Sequence, residues 1–332
     1  MKKNILSIIT VSIILAAAIY GGIKAFRDQP GDVFIEGNDP NLPCLELYTS
    51  GQATTPQLAL FAAIRQGDLR GLFNLKIILW KNPDELLSLV LAGKGDLWIG
   101  HTDGFALARL RNAPVRMLVF SSFNKFYIIS SETENWNDLN GRTVAYTPAG
   151  SPAVGLINII SERTSAKLNL VPYQGRELEL LLLSGKVKTA IIPEPLVSLI
   201  LSKSSNMKII ANVEDLFCRT TGTPGKIPVA GIAVNRFTAQ KYPEKIAMLQ
   251  QIIIRRSEML NKKGIDAAGY FPPYFEKYIP AHIVRLSLER ETISARRPED
   301  LEQELFLYLG IIHPDLFNKK SAHVMKDFIW RQ

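Results

Sequence analysis

The chain has 332 residues, with 39 Lys and Arg against 31 Asp and Glu, 47% hydrophobic residues and only two cysteines. That length allows about two domains of ~150 residues, each able to bury a core. The balance excludes wholesale disorder, a fibrous protein and a disulfide scaffold. The net charge of +8 is spread without a dense basic run, which speaks against nucleic acid and for an anionic ligand or membrane surface.

Met1-Lys2-Lys3 is a short cationic start, followed by an uncharged stretch from Asn4 to Ile23 that ends at Lys24. This is the layout of an export signal or a signal anchor. About 20 uncharged residues at ~1.5 Å rise cross the ~30 Å hydrocarbon layer. Residues 1–26 are therefore expected to carry the chain to the periplasm or cell surface, either cleaved or anchored in the membrane by residues 4–23. Cys44 follows Asn41 and Pro43, which do not make a lipidation box, and it is far from Cys218, so no obligatory bridge is expected. His101, His282, His313 and His323 are scattered, so neither a metal site nor a cofactor is expected.

Residues 27–43 are rich in Pro, Gly, Asp and Asn and read as a linker. Strands are then expected at Leu45–Thr49, Leu75–Trp80, Leu97–Gly100 and Val115–Phe120, with helices at Gln57–Arg65, Asp84–Leu91 and Gly104–Arg111 between them. Phe126–Ser130 is a further apolar run. The theme then restarts with strands at Thr143–Thr147, Leu168–Val171 and Thr189–Ile192 and helices at Ala153–Ser161 and Glu177–Leu183. Ile227–Val234 is again strand-like. A long amphipathic helix is expected over Gln240–Asn261, with further helices over 264–331. Short strands alternating with helices of about ten residues predict an α/β fold with mostly parallel sheets flanked by helices. Two such units give two lobes with a cleft between them and a helical C-terminal section: 44–128 plus 228–332 as lobe 1 and 129–227 as lobe 2. The hinge crossings then fall near 129–133 and 225–229.

Three loops share one feature: an apolar run ends in small polar residues and a helix begins. They are Thr49–Pro56, His101–Gly104 and Thr147–Pro152. Pro56 and Pro152 suit the first helical position, with Thr55 and Ser151 as N-caps. The free N–H groups of such helix starts, with neighbouring hydroxyls, suit an anionic or polar ligand, and in open α/β sheets these loops lie where ligands bind. Ser50, Gly51, Thr54, Thr55, His101, Thr102, Asp103, Ser121, Thr147, Gly150, Ser151 and Glu194 are the candidate ligand-binding residues. Asn82, the other clear N-cap, is expected on the far side of the sheet from the cleft. Tyr48, Tyr146 and Trp98 are expected in the core, and Lys241, Lys245, Arg255 and Arg256 on a solvated helix face.

Asp96–Asp103 followed by Arg111–Arg116 resembles a stretch of type II periplasmic binding proteins, closest to the sulfonate, taurine, nitrate and thiamine-pyrimidine-precursor group of ABC importers. Asp138–Ala145 with Gly150-Ser151, Ser184–Ala190 with Pro193-Glu194-Pro195, and Val229–Val234 with Phe237 and Tyr242-Pro243-Glu244 resemble three further motifs of that group, in the same order. Pro193 departs from the usual aromatic and Lys188 from the usual acidic residue, and His101 and Asp103 stand where small residues are frequent. The resemblance implies a two-lobed fold that captures a small anionic or polar solute by hinge closure and works as a monomer with ABC permease and ATPase subunits. A membrane-anchored sensor domain and a cofactor-biosynthesis enzyme on the same fold remain as alternatives. No G-x-S-x-G, phosphate loop or dinucleotide fingerprint points to catalysis, so no enzyme is expected.

Overall fold

The computed structural model describes residues 32–224, 226–262, 266–318 and 321–332. The expected export segment, 1–26, lies outside the described residues. Among the described residues no helix is long and apolar enough to cross a membrane. One compact unit runs from Phe34 to Gln332 and contains two mixed sheets.

The first sheet is built from β1 (Val33–Glu36), β2 (Cys44–Ser50), β3 (Asn74–Trp80), β4 (Leu97–His101), β5 (Val115–Ser122) and β11 (Ala230–Asn235), in the order β1-β3-β2-β4-β11-β5. The strand β1 falls within the stretch expected as linker. Between these strands run α1 (Thr55–Arg65), α2 (Pro83–Leu91) and α3 (Thr102–Leu110). In α1 every residue from Thr55 to Ala63 is buried, so it forms a central helix and not an amphipathic surface one. Its N-cap is Thr54, one residue before the expected Thr55, and the Thr54 N–H donates to Gln57 Oε1 at 2.8 Å. Asn82 caps α2 as expected, its side chain accepting from the Glu85 N–H at 2.9 Å.

The second sheet has the order β10-β6-β9-β7-β8, from β6 (Phe126–Ser130), β7 (Thr143–Tyr146), β8 (Asn169–Pro172), β9 (Thr189–Pro193) and β10 (Lys208–Asn212). Its helices are α4 (Pro152–Thr164), α5 (Gly175–Leu183), α6 (Leu196–Lys203) and α7 (Val213–Thr221). The chain passes between the sheets through Phe123–Lys125, upstream of the expected 129–133, because Phe126–Ser130 pairs with β9 and β10. The sheets are less uniformly parallel than expected. Strands β2, β3 and β4 run parallel, as do β7, β8 and β9. The strands next to the crossings, β6 and β11, are antiparallel to their neighbours. A strand that arrives from the other sheet without a covering helix enters from the opposite edge, which reverses its direction.

The expected long helix is two helices, α8 (Arg236–Lys241) and α9 (Pro243–Leu260). Pro243 carries no N–H and restricts Tyr242 before it, so the first helix ends there. α10 (Ala281–Leu288), α11 (Glu302–Ile312) and α12 (Ala322–Lys326) complete the chain. The C-terminal stretch ties both sheets together. Phe120 and Arg296 exchange backbone bonds at 3.0 and 2.9 Å, α11 packs on α4, and the Met117 N–H donates to the Phe328 carbonyl at 2.7 Å. Accordingly one apolar core joins Phe120 of the first sheet, Ile128 and Val144 of the second, and Leu305 and Phe328 of the C-terminal stretch.

Candidate functional site

The three expected loops lie at the carboxyl ends of parallel strands: Ser50–Thr54 after β2, His101–Asp103 at the end of β4, and Thr147–Ser151 after β7. The turn after β3 shares the edge of the first two, because β2 and β3 run parallel in register from Cys44–Asn74 to Ser50–Trp80. Asn82 is therefore on the loop side and not on the far side as expected. A Cβ built on Gly150 would stand 3.9 Å from Asp84 Oδ1, so the start of α2 meets the Thr147–Ser151 loop.

The first loop is held from below by Gln57, wholly buried, whose amide donates at 2.8 Å to both Thr49 Oγ1 and the Ser50 carbonyl. Ser50 Oγ accepts from the Gln52 N–H at 2.9 Å, and Gly51 lies under the ring of Tyr278, which leaves no room for a Cβ. Thr55 turns inward and its hydroxyl donates to Glu291 Oε2. Ser121 is buried and donates to the Pro56 carbonyl at 3.0 Å, so it fastens this loop to β5.

At the end of β4, His101 stands in register with Ala230 on β11, which in turn pairs with Ser122 on β5. The His101 ring lies 6.2 Å from that of Phe126. Burial and the nearby Lys125 ammonium push its pKa down to about 4, so it is neutral at physiological pH. Asp103 accepts from the Gly104 N–H at 2.8 Å, yet burial pushes its carboxyl up to about 6. The Thr102 and Ser122 hydroxyls are buried with no partner among the described residues. In the second sheet Ser151 caps α4, accepting from the Ala153 N–H at 3.3 Å, and the Thr147 N–H donates to the Ile191 carbonyl at 3.3 Å.

Glu194, expected as a ligand acceptor, is wholly buried with both oxygens engaged. Oε2 accepts from the Ser198 N–H at 3.0 Å, and Oε1 from the Ser198 hydroxyl at 3.1 Å and Arg290 Nη1 at 3.3 Å. The carboxylate thus holds the start of α6 and ties it to the segment after α10.

Five residues outside the expected set complete the arrangement: Lys125, Glu214, Arg290, Glu291 and Tyr308. Lys125 lies in the first crossing and is buried. Its Nζ donates to the Glu194 carbonyl at 3.3 Å, and burial lowers its pKa against the pull of Glu291, Glu194 and Glu214. Glu214, in the first turn of α7, accepts the Lys125 N–H at 2.6 Å and the Phe126 N–H at 3.2 Å, which clamps the crossing to the second sheet. Tyr308 of α11 packs edge-on against Phe217, with its buried hydroxyl near the charges of Asp103 and Glu214. A lone lysine inside the apolar run Phe123–Ser130 was a readable signal; Glu291 and Tyr308 carried none.

Other expectations meet the structure as follows. Trp98 and Tyr48 are buried in the core. Tyr146 is partly buried and packs against the core. The helix face expected as solvated is partly engaged: Lys245 donates to the Leu72 carbonyl at 2.9 Å, and Arg256 pairs with Asp68. No disulfide joins Cys44, exposed on β2, to Cys218 on α7. Among the described residues no cluster of His, Cys, Asp and Glu is placed to hold a metal ion. A cavity of about 440 Å³ lined by Glu36, Asp39, Arg70 and Asn74 opens at the other edge of the first sheet, where β2 and β3 begin.

Two mixed sheets flanked by helices, joined through Phe123–Lys125 and the segment that leads into β11, define the fold of type II periplasmic binding proteins. Solved structures share it. A protein from Bordetella bronchiseptica RB50 matches with a TM-score of 0.68 at 18% identity, covering 90% of this chain and 96% of that one. The periplasmic aliphatic sulphonate binding protein SsuA from Escherichia coli matches at 0.66 and 14%, covering 87% and 92%. The periplasmic nitrate-binding protein NrtA from Synechocystis PCC 6803 matches at 0.64 and 11%, covering 87% and 86%. No curated protein matches the chain in sequence. The NMT1/THI5-like family profile matches residues 70–255, more than half of the chain, and the chain belongs to that family.

Proposed function

We propose that the protein is an extracytoplasmic solute-binding component of an ABC-type importer, exported through residues 1–26. It holds a small polar solute between two lobes and hands it to permease and ATPase subunits without chemical turnover. In this reading the first sheet with its helices is one lobe and the second sheet with its helices the other, and the C-terminal stretch packs against both. The hinge is formed by Phe123–Lys125 and the segment leading into β11. The observation that carries it is the set of buried polar atoms without a partner among the described residues at and beside two of the expected loops: Thr102 Oγ1 directly after β4, Ser122 Oγ at the end of β5, and Glu291 Oε1 on the carboxylate that takes the Thr55 hydroxyl. Unpaired buried polar groups cost about 1–3 kcal/mol each, and a ligand that pairs them binds the closed state better than the open one.

The test is a thermal-shift screen of sulfonates, oxyanions, heterocyclic precursors and amines. A ligand at ~100 times its Kd adds ~2.7 kcal/mol to stability. Spin labels on Ser88 of α2 and Glu162 of α4 then report closure. A bound solute that leaves that distance unchanged refutes the clamp, and a screen with no binder refutes the solute-binding reading.

A further inference from the structure

The cluster around Lys125 contains three carboxylates, Glu194, Glu214 and Glu291, and one further cation, Arg290. The carboxylates outnumber the cations by one. Two of them are spent on the protein: Glu194 on Ser198 and Arg290, and Glu214 on the Lys125 and Phe126 N–H groups. Glu291 is different. Only 8% of it is exposed, its Oε2 takes the Thr55 hydroxyl, and its Oε1 is buried with no partner among the described residues. Thr55 opens α1 directly after the first loop, so this carboxylate reaches the base of that loop from the C-terminal stretch. The Thr102 hydroxyl directly after β4 and the Ser122 hydroxyl at the end of β5 are also buried and without a partner among the described residues.

A negatively charged ligand would be set against Glu291 and the acidic groups gathered with it around Lys125, Glu194 and Glu214. His101 does not offset it, because burial and Lys125 keep the imidazole neutral. A buried carboxylate oxygen without a donor is instead matched by a cation that brings its own N–H groups. Resting on the solute-binding reading, we propose that the solute carries an ammonium or amidinium group that donates to Glu291 Oε1, with Thr102 and Ser122 accepting or donating beside it. This sets the ligand class apart from the sulfonate and nitrate named for the structural neighbours.

The test is isothermal titration of the full chain with putrescine, agmatine, ethanesulfonate and nitrate, then of the Glu291→Gln variant. At least one of the two amines binds the unmodified chain while both anions fail, and Glu291→Gln weakens that amine ~30-fold or more. Binding of ethanesulfonate or nitrate with neither amine overturns the inference and leaves the solute-binding reading standing. An amine bound equally well by the variant overturns the assignment to Glu291. Failure of all four overturns the inference, and the broader screen then decides the solute-binding reading separately. The charge selectivity is read on the unmodified chain, so it decides the proposal even where Glu291→Gln fails to fold.

Discussion

Glu214→Gln isolates the electrostatics of the first crossing. In the folded chain burial outweighs the backbone N–H groups that Glu214 accepts and pushes its carboxyl from the ordinary 4.5 up to about 7. A carboxyl whose folded pKa lies above its unfolded one favours the fold while protonated. Its stabilisation is complete below pH ~4.5, is lost as the pH rises toward 7, and stays lost above. At ~1.4 kcal/mol per pH unit this amounts to about 3 kcal/mol over the whole window, of which about 2–3 falls between pH 5 and 8. Glutamine keeps the shape and an acceptor but does not titrate. Asp103, Glu194 and Glu291 titrate in both chains, so their effect cancels in the difference to the extent that they do not couple to position 214. Urea denaturation at pH 5 and pH 8 and constant ionic strength should show the variant up to ~1 kcal/mol less stable at pH 5, for a less well placed hydrogen bond. At pH 8 the gap should close or reverse. A gap that is unchanged, or that widens at pH 8, would mean that the Lys125 and Phe126 N–H groups hold the carboxylate ionised, and the reasoning would fail.

Gly231→Ala in β11 drives a Cβ into the Val119 backbone carbonyl, and should cost about 3 kcal/mol or more in urea unfolding. Gly104→Ala in α3, with nothing within 4 Å, should gain ~0.5–1 kcal/mol; similar values for the two would contradict the packing of β11 against β5. Ser151→Ala should cost ~1 kcal/mol as a lost cap and weaken solute binding by a further ~0.5–1.5 kcal/mol. Asn235→Ala, a cap at the opposite edge of the first sheet, should leave affinity alone, and equal affinities in the two variants would remove the Thr147–Ser151 loop from the site. Asp68 and Arg256 form an ion pair with both side chains 14% exposed, so a double-mutant cycle should give a coupling of about 1–2 kcal/mol; a value near zero would place the pair in solvent.

The local grammar of the chain was readable because it rests on short-range physics. Strand and helix periodicity located β2 to β9 to within two or three residues, and proline with a capping side chain marked the starts of α2 and α4. What could not be read depends on partners distant in sequence. Thr55 looks like a cap by position, and only the approach of Glu291, 236 residues away, turns its hydroxyl inward. Glu194 between two prolines looks like a presented acceptor, but Ser198 and Arg290 close on both oxygens. Asn82 caps its helix as its residue type suggests, but strand direction, not capping chemistry, decides at which edge of the sheet that helix starts.

The same distinction explains where stability is conceded. Several polar groups near the site are matched: Gln57 supports two loop acceptors, Ser121 bonds Pro56, and Glu214 takes the crossing's N–H groups. Of the nine buried side-chain atoms without a partner among the described residues, four are Thr102 Oγ1 and Ser122 Oγ, at or directly after strand ends of the first sheet, and Glu291 Oε1 and the Tyr308 hydroxyl, in the C-terminal stretch. Each costs about 1–3 kcal/mol while unpaired, a burden that packing with apolar residues of similar size would have removed. Two of these four come from the chain's last 45 residues, which bridge both sheets without contributing a strand to either. The C-terminal stretch therefore does more than cover a core. It brings the Glu291 carboxylate to Thr55 at the start of α1 and packs the Tyr308 ring edge-on against Phe217 of α7, and it does so from a segment that carries none of the motifs read in the sequence.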